Sequence, residues 1–159
     1  MDAPQHLPVM ADEAMRFLEP QRGGTYVDCT VGLGGHTRAL LTGGAERVIA
    51  IDRDQDALRL AAQALAEFGA RVHYAHADYK DLDRVLDAER VPLVSGVLAD
   101  LGVSSMQIDD PARGFTFKAD GPLDLRLNPQ RSPNAAEWLA RVSAADLARV
   151  LEENSDEPH

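Results

Sequence analysis

The chain has 159 residues, 45% of them hydrophobic, which suits one globular domain able to bury roughly 70% of its unfolded surface and argues against disorder over most of its length. Lys and Arg total 16 against 26 Asp and Glu, a formal charge of -10 that lacks the basic footprint phosphate contact normally leaves. Cys29 is the single cysteine, which excludes an intramolecular disulfide framework; with no signal peptide and no apolar stretch of membrane-spanning length, a reducing, cytoplasmic setting is expected.

The first ten residues, with Pro4 and Pro8, read as an extended arm, and Ala11 to Leu18 as a short helix ended by Pro20. Thr25-Tyr-Val-Asp-Cys-Thr30 is short, β-branched and followed by glycines, the signature of a strand running into a loop. Arg47 to Asp52 is the next strand. Asp54 can cap a helix whose apolar Leu58, Ala61, Leu65 and Phe68 step by three and four, with Gly69 at its C-terminal end. Arg71 to Ala77 gives a third strand, Asp81 to Leu86 a short helix, and Leu93 to Asp100 a fourth strand. Strand and helix alternating at this rhythm predict an α/β fold with a parallel sheet and helices on its faces.

After Asp100 the pattern changes. Residues 101–133 hold Gly102, Pro111, Gly114, Gly121, Pro122, Pro129 and Pro133 without sustained periodicity, and a loop this long inside a compact domain is more often functional than idle. Two helices are expected beyond it, since Asn134 with Glu137 and Ser143 with Asp146 both resemble capping boxes.

The central feature is Val27-Asp-Cys-Thr-Val-Gly-Leu-Gly-Gly-His36, where a strand turns through glycines into a helix. A Cβ there would block both the sharp turn and the close approach of a ligand. Asp52 ends the second strand, twenty residues after Gly32, where a carboxylate can accept both hydroxyl protons of a ribose. This spacing fits S-adenosylmethionine and nicotinamide dinucleotides alike. Two details favour the methyl donor: Gly-Leu-Gly-Gly departs from Gly-x-Gly-x-x-Gly, and Asp28 adds a carboxylate near the ligand that suits a cationic sulfonium better than a pyrophosphate. Plainer readings remain open: Gly34 and Gly35 as a tight turn, Asp52 as a helix cap, His36 as a cap or a ligand contact. Cys29 reads as a small buried residue rather than a nucleophile. His73 and His76, three apart on a strand, face opposite ways, so no metal site is expected.

Leu98-Ala-Asp-Leu-Gly-Val-Ser-Ser-Met-Gln-Ile-Asp-Asp110, Arg113-Gly-Phe-Thr-Phe117 and Asp120-Gly-Pro-Leu-Asp-Leu-Arg126 closely resemble the bacterial 16S rRNA (cytosine-N4)-methyltransferases, the ribosomal RNA small subunit methyltransferase H family. His6-Leu-Pro-Val-Met10, Asp12-Glu-Ala14, the loop Thr30 to His36, Ala50-Ile-Asp-Arg-Asp54 and Ala135-Ala-Glu-Trp138 match in the same order. The resemblance implies a Rossmann-like class I methyltransferase fold and transfer of the methyl of S-adenosyl-L-methionine to N4 of a cytidine in the decoding region of 16S rRNA, with the small ribosomal subunit as partner. It implies cofactor contacts at Gly34, Gly35 and His36, at Asp52 for the ribose, at Tyr79 beside the adenine, and at Asp100 and Gln107. Asp100 is also the candidate acceptor for the amino protons. Phe115 or Phe117 is a candidate to stack the base, and Arg113 and Arg126 either hold phosphate or pair with Asp109, Asp110 or Asp124.

The family's chain is nearly twice as long, so the resemblance implies a C-terminal truncation that removes the later strands and a helical insertion. The expected organisation is an arm and short helix over 1–22, a cofactor-binding core over 23–100, a substrate-side loop over 101–133 and the start of a helical region over 134–159. An unpaired strand edge then invites self-association or a homodimer, and the isolated chain is expected to be weakly active or inactive. A noncatalytic cofactor-binding remnant and an NAD-type enzyme are the alternatives.

Overall fold

The structure, a computed structural model, describes residues 8–155; the rest of the expected arm (1–7) and the last residues (156–159) lie outside the described residues. The chain falls into two compact units, Met1–Gly102 and Val103–His159.

In the first unit, helix α1 (Ala11–Leu18) is followed by strand β1 (Thr25–Asp28), α2 (Gly35–Thr42), β2 (Arg47–Asp52), α3 (Gln55–Ala64), β3 (Val72–His76), α4 (Leu82–Ala88) and β4 (Gly96–Leu98). The four strands are parallel and lie in the order β3-β2-β1-β4, with Val27 opposite Ile49 on one side and Val97 on the other. This is an α/β fold with the Rossmann strand order, whose direction of winding reverses between β1 and β4. In open sheets of this kind the C-terminal ends of the strands at such a reversal are where ligands bind.

Alternation along the strands builds two cores. Tyr26, Val48, Ala50 and Val72 pack with Leu40 and Leu41 of α2 and Leu58 and Ala61 of α3. Val27, Cys29, Ile49 and Ile51 face the other way, against Leu82, Val85 and Leu86 of α4. The central strands are therefore apolar on both faces, as covered parallel strands must be.

The expected boundaries shift for identifiable reasons. Asp54 does cap α3, accepting the Asp56 amide at 3.0 Å, yet the α-helix stops at Ala64 rather than running to Gly69. Arg38 takes the Ala64 carbonyl, and the Phe68 amide bonds Leu65 instead, so the chain continues in 3-10 turns within Ala66–Arg71, broken at Gly69, whose φ is 52°. Strand β4 is only three residues long, because pairing with β1 covers Tyr26 to Asp28 alone.

Among its described residues the second unit holds three α-helices, α5 (Ser105–Asp109), α6 (Ala135–Leu139) and α7 (Ala144–Ser155), and a 3-10 turn over Pro111–Arg113. Both expected caps form, Asn134 with Glu137 as a reciprocal box and Ser143 Oγ accepting the Asp146 amide at 3.1 Å. Helix α5 was not expected in a segment this rich in Gly and Pro. Its start is fixed by a further box, in which Ser104 Oγ accepts the Gln107 amide at 3.3 Å and Gln107 Oε1 accepts the Ser104 amide at 3.0 Å. No helix among the described residues is long and apolar enough to cross a membrane.

Candidate functional site

Hydrogen bonds on both sides tie the turn after β1 to the neighbouring strand ends of the first unit. Asp52 Oδ2, at the end of β2, accepts the Gly32 amide at 3.0 Å, while Oδ1 accepts the Asp54 amide at 2.9 Å. On the β4 side, Thr30 Oγ1 accepts the Asp100 amide at 2.8 Å, bridging the point where the strand order reverses. The turn between β1 and α2 is thus tied to both neighbouring strands.

The Asp52 carboxylate is only partly buried, and burial raises its pKa above the ordinary 3.8 against the opposing pull of the Asp54 and Gly32 amides. It makes a side-chain turn to Asp54 and leaves the capping of α3 to that residue. Gly34 has φ +87°, and Leu65 Cδ1 lies 2.8 Å from where its Cβ would stand, so glycine is demanded by conformation and by space together. Tyr79 is 43% exposed and carries the Arg53 guanidinium 5.7 Å above its ring. Arg53 also approaches Asp78 at 4.0 Å. The Asp100 residue is exposed.

Asp28, expected as a carboxylate near the ligand, is turned inward. It is fully buried: Oδ2 accepts the Thr37 hydroxyl at 2.7 Å and Oδ1 the Thr30 amide at 3.1 Å. Residues 26 and 28 share a strand face, so Asp28 points with Tyr26 into the α2 side of the sheet. Desolvation pushes its pKa up, opposed by the Thr37 hydrogen bond. Its role is to brace the turn from beneath. Cys29 is buried beside it, and burial together with the Asp28 charge pushes its thiol up to about 11.

The remaining residues divide between the two units. His36 is 6% exposed and donates from Nε2 to the Val9 carbonyl at 2.9 Å. Gln107 lies in the second unit, buried at the start of α5. In that unit Arg126 pairs with Asp124 through both oxygens, at 2.8 and 2.6 Å, and Arg113 donates to the carbonyls of Arg126 and Leu127. The pairing holds Asp124 below the ordinary carboxylate range. Phe115 is half-buried, whereas Phe117 is 96% exposed. Among the described residues no cluster of His, Cys, Asp and Glu could hold a metal ion; His73 faces Glu89 at 3.1 Å and His76 donates to the Arg53 carbonyl at 3.0 Å.

The model of the MraW methylase family matches residues 3–159. The chain belongs to that family. As a MraW methylase family member it is similar to the ribosomal RNA small subunit methyltransferase H of Sorangium cellulosum, 47% identical over 92% of this chain and 47% of that protein. It is similar also to the one of Burkholderia mallei, 48% identical over 96% of this chain and 49% of that protein. The MraW family chain described here therefore spans about half the length of the curated relatives it matches. Among solved structures, an rRNA methylase from Streptococcus thermophilus is 26% identical, covers 54% of this chain and 49% of its own, and has a TM-score of 0.40. Membership of a methylase family implies a methyl donor.

Thr30, Thr37 and Arg53 were not singled out in the sequence. Thr30 had a signal, since a hydroxyl at the end of β1 is within reach of whichever strand lies beside it. Thr37 and Arg53 gain their roles only through packing.

Proposed function

We infer that this chain carries the cofactor-binding part of an S-adenosylmethionine-dependent methyltransferase acting on N4 of a cytidine in the decoding region of 16S rRNA. The single observation that carries this reading is the Asp52–Gly32 hydrogen bond in a MraW family chain: a partly buried carboxylate fixed beside a glycine turn, with acceptor capacity left for a ribose diol.

The residues fit an adenosyl ligand. Gly34 and Gly35 shape the turn, with Leu65 and Pro8 filling the space their Cβ atoms would take, Asp52 accepts from the ribose, and the partly exposed ring of Tyr79 offers a face to the adenine. When bound, S-adenosylmethionine supplies an electrophilic methyl group on a sulfonium centre. Cytosine N4 is a poor nucleophile because its lone pair conjugates with the ring, so orientation of the amino group must supply much of the acceleration. The Asp100 carboxylate is the proposed acceptor for the proton that N4 loses. Its exposure and the Thr30 tether on its amide support that role.

For the base, Phe117 offers an open aromatic face next to Lys118. Residues 103–134 contain four basic side chains (Arg113, Lys118, Arg126, Arg131) and four acidic ones (Asp109, Asp110, Asp120, Asp124), so this stretch lacks the negative excess of the chain as a whole. That local balance suits approach to a phosphate backbone better than a net charge of -10 would.

The test is transfer of label from S-adenosylmethionine to small subunits from a strain lacking the modification, with the modified atom identified by mass spectrometry. Label on N4 of a cytidine is the expected product, and label on any other atom overturns the reading. The chain's coverage of about half of its relatives favours a second reading, binding without transfer by these 159 residues alone. Cofactor binding with no transfer at high protein concentration would support it.

A further inference from the structure

Helix α1 and the residues before it are fixed at both ends by buried side chains of the first unit. At the C-terminal end the Tyr26 hydroxyl reaches the carbonyls of Leu18 and Glu19, at 3.1 and 3.2 Å. At the other end His36 Nε2 donates to the carbonyl of Val9 at 2.9 Å. A carbonyl can only accept, so a neutral His36 carries its proton on Nε2 and leaves Nδ1 as the acceptor.

A second contact lies one residue away on each side. Three carbons of the Pro8 ring stand 3.1 Å from where a Cβ on Gly35 would be, so the proline occupies the space that this glycine leaves open. Met10 then takes a left-handed conformation, φ 51°, and its carbonyl accepts the Ala14 amide to begin α1. Pro8 and Val9 are therefore held against Gly35 and His36, the first two residues of α2, directly after the glycine turn. The side chains of Val9 and Met10 are exposed, so burial of their own surface contributes little to holding them.

We propose that Pro8–Met10 forms a strap across the glycine turn, latched by the His36–Val9 hydrogen bond, and that this latch slows release of a cofactor held at the turn. His36 is then a positioning residue, with its Nε2 committed to the strap. The proposal rests on the S-adenosylmethionine reading above. Opening the strap is a local event that leaves both sheet cores intact, and such low-stability segments are the ones that gate sites. One net hydrogen bond corresponds to a change of about three- to tenfold in the opening equilibrium.

The experiment measures S-adenosylhomocysteine association and dissociation on the immobilised full chain by surface plasmon resonance, alongside amide hydrogen exchange over residues 9–18. His36→Ala is expected to raise the dissociation rate about three- to tenfold with association unchanged, and to speed exchange in the first turn of α1. His36→Gln is expected to restore both, because its amide nitrogen can donate to the Val9 carbonyl. Pro8→Gly, with His36 intact, should speed dissociation to a smaller degree, and it decides the matter if His36→Ala does not fold. Equal weakening by both His36 variants, with no effect of Pro8→Gly, would mean direct ligand contact and would overturn the strap. Faster exchange with unchanged dissociation would overturn it too. If the wild-type chain does not bind S-adenosylhomocysteine at all, the cofactor reading fails and takes the gating role with it, while the exchange data still report the latch separately.

Discussion

The carboxylate of Asp52 accepts the amide of Gly32 at 3.0 Å, joining the end of β2 to a turn twenty residues earlier in the chain. The bond holds the turn after β1 and the carboxylate at the end of β2 together. Asp52→Ala removes both the brace and the proposed ribose acceptor. A hydrogen bond to a charged group is worth about 1.5–3 kcal/mol, so S-adenosylhomocysteine affinity should fall by roughly ten- to hundredfold in calorimetry. An affinity within about twofold of the wild type would remove Asp52 from the site.

Asp28 should affect stability, and it should do so with a particular pH dependence. Asp28→Ala strands the Thr37 hydroxyl and the Thr30 amide in the interior, at a cost of about 1–3 kcal/mol in urea unfolding. Asp28→Asn can keep both partners, since Thr37 is able to reverse its hydroxyl. Because burial raises the Asp28 pKa, the folded state holds this proton more tightly than the unfolded chain does. Its contribution is fully present below 3.8 and is lost as pH rises through the folded value. Wild type should therefore lose stability relative to Asp28→Asn on going from about pH 4 upward. A difference that is flat or of opposite sign would contradict the buried carboxylate.

Gly34→Ala should damage the turn without unfolding the sheet. A non-glycine residue at positive φ costs about 1–2 kcal/mol, and Leu65 Cδ1 would have to move away from a Cβ 2.8 Å distant. The expected outcome is a lowered melting temperature and a larger loss of S-adenosylhomocysteine binding than stability alone explains. Full binding by a folded variant would show that the turn is not part of the site.

The Cys29 thiol should be silent in the native chain. With a pKa of about 11 and no exposure to speak of, its thiolate fraction at pH 8 is on the order of one in a thousand. Ellman's reagent should react only after denaturant is added. Rapid stoichiometric labelling of the folded protein would show that β1 opens on that timescale.

Much of this was legible in the sequence because it rests on local rules. The glycine turn, the carboxylate at the end of β2 and the Asp54 cap each follow from residue type and spacing, and each is where the spacing put it. Adjacency of Asp28 to the turn in sequence does not disclose its burial. Strand alternation, which pairs residue 28 with Tyr26 on the α2 face, would have turned it inward. Helix α5 was hidden because its Ser104–Gln107 box sits among glycines and prolines that suppress any periodic signal. The His36–Val9 bond joins residues 27 apart through the packing of α1, and nothing local announces it. Whether Arg113 and Arg126 face phosphate or protein was likewise undecidable until the loop folded around them; they hold the loop.

Titration of the wild-type chain with S-adenosylhomocysteine and, separately, with NAD, both followed by calorimetry, tests the cofactor assignment most directly. Saturable one-to-one binding of S-adenosylhomocysteine, abolished or sharply weakened by Asp52→Ala and matched by no binding of NAD, is the predicted result. Binding of NAD with none of S-adenosylhomocysteine would contradict it.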